Sequence, residues 1–264
     1  MKASKIKKVY LFFLASILIF PSLANSQEKK ADEEAIKRDP SLAYTEAERP
    51  EDNYLARFTG IRVSEKLIKE NLENIYMLKV IVSNFKQQQD WGEEYKKIYA
   101  SYKKGVGLFY RRNVIYARVE LEKNKRDITQ LCKKIFTVYR KQSIEMLDEC
   151  SDKILNFSLD ESTKFDPNKN RILFKNMMRL WIAYGQIDDA DDSAIDNLFK
   201  SSIFHVRIAK SYAIKILEQL DPKKSEGRFN VHKADNRNRI LNPETTTSAK
   251  SEPEKKAPGK PGVK

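Results

Sequence analysis

The sequence predicts an all-α protein, an elongated bundle of long helices with disordered termini. Three observations carry this. From Glu51 to Asp166 there is no proline, and glycine occurs only at Gly60, Gly92, Gly105 and Gly107. Apolar residues recur at three- and four-residue steps through most of residues 56–221, the spacing of one helix face. Strand signals are missing: there is no Asn-Gly hairpin, threonine is scarce, and no stretch sustains apolar–polar alternation.

The chain opens with MKASKIKK, continues with VYLFFLASILIF and then reads PSLANSQ. A basic start, about a dozen apolar residues and a small-residue stretch make a secretory signal peptide over residues 1–26. The apolar run falls short of the roughly 20 residues that span a bilayer. Cleavage after Ala24 and after Ser26 both fit, and no cysteine lies nearby to carry a lipid. The protein is therefore expected outside the cytoplasm, with no later run apolar enough to span a membrane. The formal net charge of +13 becomes +9 without the four leader lysines. Export argues against a nucleic-acid partner. An anionic surface outside the cytoplasm (headgroups, cell-wall polymer or an acidic filament) fits better, beside the plain alternative that lysine serves solubility.

Residues 27–55 form a polar arm with Pro40 and Pro50. Ser64 is a candidate cap for a first helix reaching about Gln88, with Ile68, Leu72, Ile75, Val82 and Phe85 on its apolar side. Asp90–Gly92 interrupts it. A second segment carries Tyr95, Ile98, Tyr99, Tyr102, Val106, Phe109 and Tyr110 towards Asn124 and Asp127, with Gly105 and Gly107 marking a kink or a close helix crossing. Asp127 then reads as the cap of a third helix to about Phe157, and residues 158–170 as a loop. Asp166-Pro167 opens a helix whose sequence RILFKNMMRLWIAYG is apolar nearly all round, so burial is expected, ending at Gly185. Asp191 or Asp192 would start the last helix. Its heptad-like stripe runs Ile195, Phe199, Ser202, Val206, Ala209, Ala213, Ile216, Leu220. Asp221-Pro222 stops it, and residues 222–264 read as a disordered basic tail rich in lysine and proline, a possible contact for anionic surfaces.

The only two cysteines, Cys132 and Cys150, lie eighteen residues apart. On one helix that is five turns, and at 1.5 Å per residue they stand about 27 Å apart. A disulfide needs Cα atoms within about 7 Å. No Gly, Pro or Asn between them would turn the chain, so no intrachain bridge is expected and the picture is a rod.

Catalytic signatures are lacking. Two histidines, His205 and His232, lie far apart, and no phosphate loop, nucleophile elbow, zinc helix or Cys-x-x-Cys pair occurs. The acidic run Ile187–Asp196 lacks the glycine and terminal glutamate of an EF-hand and reads as caps for the last helix. The expectation is a non-enzyme without metal or cofactor. The unusual stretch is tyrosine interleaved with basic residues: Tyr95, Tyr99, Tyr102, Tyr110, Arg111, Arg112, Tyr116 and Arg118. Tyrosine and arginine are enriched at protein interfaces, so these eight form a candidate protein-binding surface. The alternative is tyrosines in a bundle core and arginines on a solvated face.

A signal peptide, long Lys/Tyr-rich helices, the segment RLWIAYGQIDDADD and a loose basic tail together resemble the flagellar-coiling, or filament sheath, proteins of spirochaetes, Leptospira in particular. The likeness is one of architecture and composition over about residues 55–220. It implies an elongated, bent all-α periplasmic protein on the flagellar filament, in contact with the flagellin core and other sheath proteins. Such a subunit supports the filament's coiled shape and motility. A second reading is a helical adaptor or chaperone of the tetratricopeptide type, since SYAIKILEQLDP resembles that repeat's closing helix.

Overall fold

The computed structural model describes residues 39–40, 50–85, 91–161 and 165–238. The leader, most of the polar arm and residues 239–264 of the tail lie outside the described residues. The protein is all-α, and no strand occurs among the described residues. Among the described residues seven α-helices follow one another: α1 (Tyr54–Asn84), α2 (Trp91–Tyr110), α3 (Val114–Leu159), α4 (Pro167–Ile195), α5 (Phe199–Leu220), α6 (Pro222–Ser225) and α7 (Asn230–Lys233), followed by a π-helical turn, Ala234–Asn238. Among the described residues, no helix is long and apolar enough to cross a membrane.

α3 organises the molecule. Its 46 residues span about 70 Å at 1.5 Å per residue. α1 and α2 pack on it, as do α4 and α5, and one apolar core runs continuously from Leu67 to Phe229. Cys132 and Cys150 both sit on this helix, buried and free, so the rod geometry read from their spacing holds. Burial pushes both thiols up to about 12, which leaves them protonated and unreactive near neutral pH.

Several boundaries differ from those the sequence predicts, each for a local reason. α1 starts at Tyr54, because Asn53 rather than Ser64 supplies the cap: its side chain accepts from the Ala56 N–H at 2.7 Å. Ser64 is instead fully buried in the helix interior. The α2–α3 turn falls at Arg111–Asn113 and not near Asn124, with Arg112 in the left-handed region at φ 64°. Asn124 is diverted from capping by tertiary bonds. Its amide donates to the Ile98 carbonyl at 2.7 Å, and its side-chain oxygen accepts from Asn71 at 3.1 Å. Asn71 also donates to the Leu121 carbonyl at 3.0 Å, so two buried asparagines tie α1, α2 and α3 together. Gly105 marks a close helix crossing, since a Cβ there would lie 2.9 Å from Leu121 Cγ.

α4 departs furthest. Asp166 caps it, accepting from the Asn168 N–H at 2.8 Å, with Pro167 in the first turn as expected. The helix then runs through Gly185 to Ile195, ten residues past its expected end, and turns at Asn197 (φ 58°) into α5. The acidic run therefore closes α4 instead of opening α5. Nor is α4 buried all round: Asn176, Ala183, Ile187 and Ala190 face the core, while Phe174, Met177, Met178 and Trp181 are exposed. The stripe of α5 is buried from Phe199 to Ile216, but Ile195 belongs to α4 and is exposed.

The first part of the expected tail is folded. Phe229, Ala234 and Asp235 are buried, and residues 222–236 pack back on α5 and α3. The folded body thus extends past residue 221, at least as far as Asn238.

Candidate interaction surfaces

The eight residues singled out in the sequence do not form one patch. Tyr102 is a core residue, buried, with its hydroxyl donating to the Ile68 carbonyl at 3.3 Å. This corrects its assignment to an interface. Tyr95 packs partly against the core, and its ring lies parallel to that of Tyr99, one turn on, with centroids 6.2 Å apart. Lys103, a further turn along, places its ammonium 4.5 Å from the Tyr99 ring centre, within cation–π range. Tyr95, Tyr99 and Lys103 make a ladder on α2. Tyr110, 78 % exposed, lies with exposed Arg111 and Arg112 at the α2–α3 turn. Tyr116 and Arg118 are half-buried on the first turns of α3, and Arg118 is engaged with Glu122 at 2.7 Å.

The turn at Arg111–Asn113 is one tip of the rod, and α1 begins beside it: a Cβ on Gly60 would touch the Val114 carbonyl at 3.4 Å. Tyr54, Leu55, Phe58 and Ile61, in the first turns of α1, are exposed. Tyr54 and Leu55 fall in the stretch that reads as polar arm, and Phe58 and Ile61 before the expected helix start at Ser64; the cap at Asn53 brings all four into α1. A second exposed apolar surface lies at the opposite end of α3. Tyr184 of α4 donates to Asp148 of α3 at 3.5 Å. That antiparallel register puts Leu155 and Leu159 alongside Met177 and Leu173, two and three turns on. Leu155, Leu159 and Phe165 are exposed together with Phe174, Met177, Met178 and Trp181. Monomeric proteins seldom leave clusters of this kind open to water.

Between the ends, α1, α3 and the start of α5 enclose an open groove of about 840 Å³. Tyr76, Met77, Val80, Ile128, Phe199 and Phe204 supply apolar walls. Its charges are matched across the rim: Lys125 pairs with Glu70 at 3.1 Å and Lys200 with Glu73 at 3.2 Å. Such a groove selects by shape and apolar area rather than by charge.

Beneath the surface lies a polar cluster that the sequence reading missed. Asp235 receives two hydrogen bonds from Arg207, at 2.7 and 3.1 Å, and one from the Tyr139 hydroxyl at 2.7 Å. Lys210 donates to Gln142 at 2.8 Å, and its ammonium lies 3.8 Å from the Tyr139 ring centre. Asp235, Tyr139 and Lys210 have no solvent exposure. Burial pulls Lys210 down to about 7, with Arg207 pushing the same way and Asp235 opposing. Burial likewise holds His232, next to Phe85, down at about 4, with Lys210 adding to it. Tyr139 is raised well above the usual phenol value, by burial first and by Asp235 second. These shifts accompany total enclosure, so the cluster acts as a lock that pins residues 229–236 onto α3 and α5. No group of three or more potential metal ligands occurs among the described residues.

No protein-family model matches the chain, and no curated protein or solved structure matches it either. The reading of its role rests on its own surfaces.

Proposed function

We propose that the protein is an exported, non-enzymatic structural subunit that works by lateral and end contacts with other proteins. The observation that carries this is the placement of exposed apolar surface at both ends of α3, about 70 Å apart, on a body whose middle is filled by core. A subunit of an extended lattice needs separated contact surfaces on a stiff spacer, and a continuous helix supplies the spacer. Tyr110 with Arg111 and Arg112 at one tip has the composition of an interface anchor.

Combined with the resemblance to spirochaete flagellar-coiling proteins, the specific proposal is a periplasmic sheath subunit. It would lie on the flagellar filament, contact the flagellin core and other sheath proteins, and support the coiled shape on which motility depends. The protein should then pellet with purified periplasmic flagella, and cells lacking it should carry straightened filaments. A protein that stays wholly in the soluble periplasmic fraction, with filaments unchanged by its loss, would overturn this assignment.

One observation favours a second reading. The groove beside α1 has apolar walls and the size of a small-molecule or peptide-anchor site, as an adaptor binding an apolar segment would need. Met77→Glu on its wall should abolish capture of extended apolar peptides if that reading holds, and should leave filament association intact if it does not.

A further inference from the structure

The outward face of α4 has properties that no contact among the described residues accounts for. Phe174, Met177, Met178, Trp181 and Gly185 fall within an arc of about 100° on the helix, opposite the buried Ala183 and Ala190. Trp181 is 72 % and Phe174 65 % exposed. Gly185 lies in the same stripe with open space where a Cβ would stand, which leaves a notch beside the Trp181 ring.

The charges of α4 run against its own dipole. A helix carries partial positive charge at its N-terminus and partial negative charge at its C-terminus. Yet Lys169, Arg171 and Lys175 stand at the start of α4, while Asp188, Asp189 and Asp192 stand in its last two turns. Asp191 is neutralised within the chain by Arg140, with both bonds at 2.7 Å. Arg171, Lys175, Asp188 and Asp192 are exposed and make no ion pair among the described residues. Arg171 lies ten positions before Trp181, and Asp192 eleven after it.

We infer that the outward stripe of α4 docks on the same stripe of a second copy, antiparallel, about a two-fold axis near Trp181. In that arrangement the acidic turns of each copy lie over the basic turns of the other, so both dipole mismatches are compensated. Gly185 of one copy receives Met177 or Met178 of the other. A parallel pairing would set like charges together. Two-fold pairing is also the commonest symmetry of soluble assemblies and needs only one self-complementary patch. With ~200 Å² for a large apolar side chain, the stripe and its neighbours Ile182 and Tyr184 expose on the order of 600 Å² per copy. The ~1,200 Å² so buried lies at the lower end for specific interfaces, which fits a reversible pair.

This inference deepens the structural reading, because it names a second copy as the partner of the distal surface. It can fail separately: a protein that is monomeric in isolation and still pellets with flagella would sink the pairing alone.

Sedimentation velocity of the exported protein tests it. The wild-type protein should show a reversible monomer–dimer equilibrium. R171E/K175E and D188K/D192K should each weaken pairing by about tenfold or more, with helicity unchanged because all four positions are exposed. Mixing the two variants should restore a dimer containing one of each. Trp181→Glu should abolish pairing in every background. A wild-type protein that stays monomeric, a dimer indifferent to either charge reversal, or a mixture that fails to pair would each overturn the inference. Tight binding to anionic vesicles by a protein that remains monomeric would assign the stripe to a membrane surface instead, and would also overturn it.

Discussion

The centre of this molecule and the outer face of α4 are opposites of what a globular protein ordinarily shows. Inside, Arg207, Lys210, Asp235 and Tyr139 are enclosed: Arg207 and the Tyr139 hydroxyl bond to Asp235, and Lys210 bonds to Gln142 beside the Tyr139 ring. Outside, Phe174, Met177, Met178 and Trp181 stand in water. The contrast teaches where each group's free energy is spent. A buried ion pair contributes little net stability but fixes one arrangement, because breaking it strands a charge in a poor solvent. An exposed apolar stripe contributes nothing to the isolated fold, so its contribution must come from a partner. The lock should therefore be sensitive to stability measurements and the stripe insensitive.

The largest effect is expected at the lock. Asp235→Ala leaves Arg207 buried without its counter-charge and should destabilise the protein by about 3–5 kcal/mol, read from denaturant unfolding. A change below about 1 kcal/mol would mean that residues 229–236 do not close over Arg207. Tyr139→Phe removes one donor to the same carboxylate and should cost about 1–3 kcal/mol. If it proved neutral, a water would have to replace the hydroxyl in the enclosed site.

A third measurement uses pH. Lys210 titrates at about 7 in the folded protein, against about 10.4 in an unfolded chain. Between those values the unfolded state binds more protons, so the Lys210 contribution to stability rises with pH and is most unfavourable below about 7. His232, held at about 4, acts in the same direction at lower pH: its contribution falls as pH drops from about 6.5 towards 4. Lys210→Met removes the first contribution. The stability of the wild type relative to this variant should therefore climb from pH 7 upward. A pH-independent difference would place Lys210 in contact with water.

Smaller effects follow at the helix crossing and on the stripe. Gly105→Ala gains helix propensity of about 1 kcal/mol but drives a methyl into Leu121, where overpacking costs about 1–3 kcal/mol. A modest net loss of stability is expected, visible in thermal unfolding. Trp181→Ala should change stability by no more than about 0.5 kcal/mol. A loss of several kcal/mol would place Trp181 in the protein's own core.

Helical class, the Asp166-Pro167 helix start and the unbridged cysteines were all legible, because each depends on local spacing or local steric rules. The α2–α3 turn was not, since Arg111 and Arg112 lack the usual turn signals and Asn113 is a single one, weaker than Asn124 and Asp127 together; the backbone at Arg112 marks the turn. Asn124 and Asp127 looked like boundaries because short polar side chains favour caps. Tertiary hydrogen bonds to Ile98 and Asn71 redirected Asn124. The lock was invisible because Tyr139 and Arg207 lie 96 and 28 residues from Asp235, and Asp235 sits in a stretch whose composition reads as tail. α4 misled for a related reason. An apolar circumference states that both sides want partners, but not that both partners belong to the same chain. The Tyr/Arg stretch divided likewise: Tyr102 went to the core and Tyr110 to the tip, though their neighbours in sequence are alike.

The two tryptophans offer the most direct test that the exterior of this rod is its working surface. Trp91 is buried and Trp181 open to water, so a neutral quencher such as acrylamide should reach only the second in dilute solution. As protein concentration rises through a dilution series, Trp181 should become shielded and its emission should shift to the blue, while Trp91→Phe leaves that change intact. Quenching and emission that stay constant at every concentration, with and without Trp91, would contradict the account.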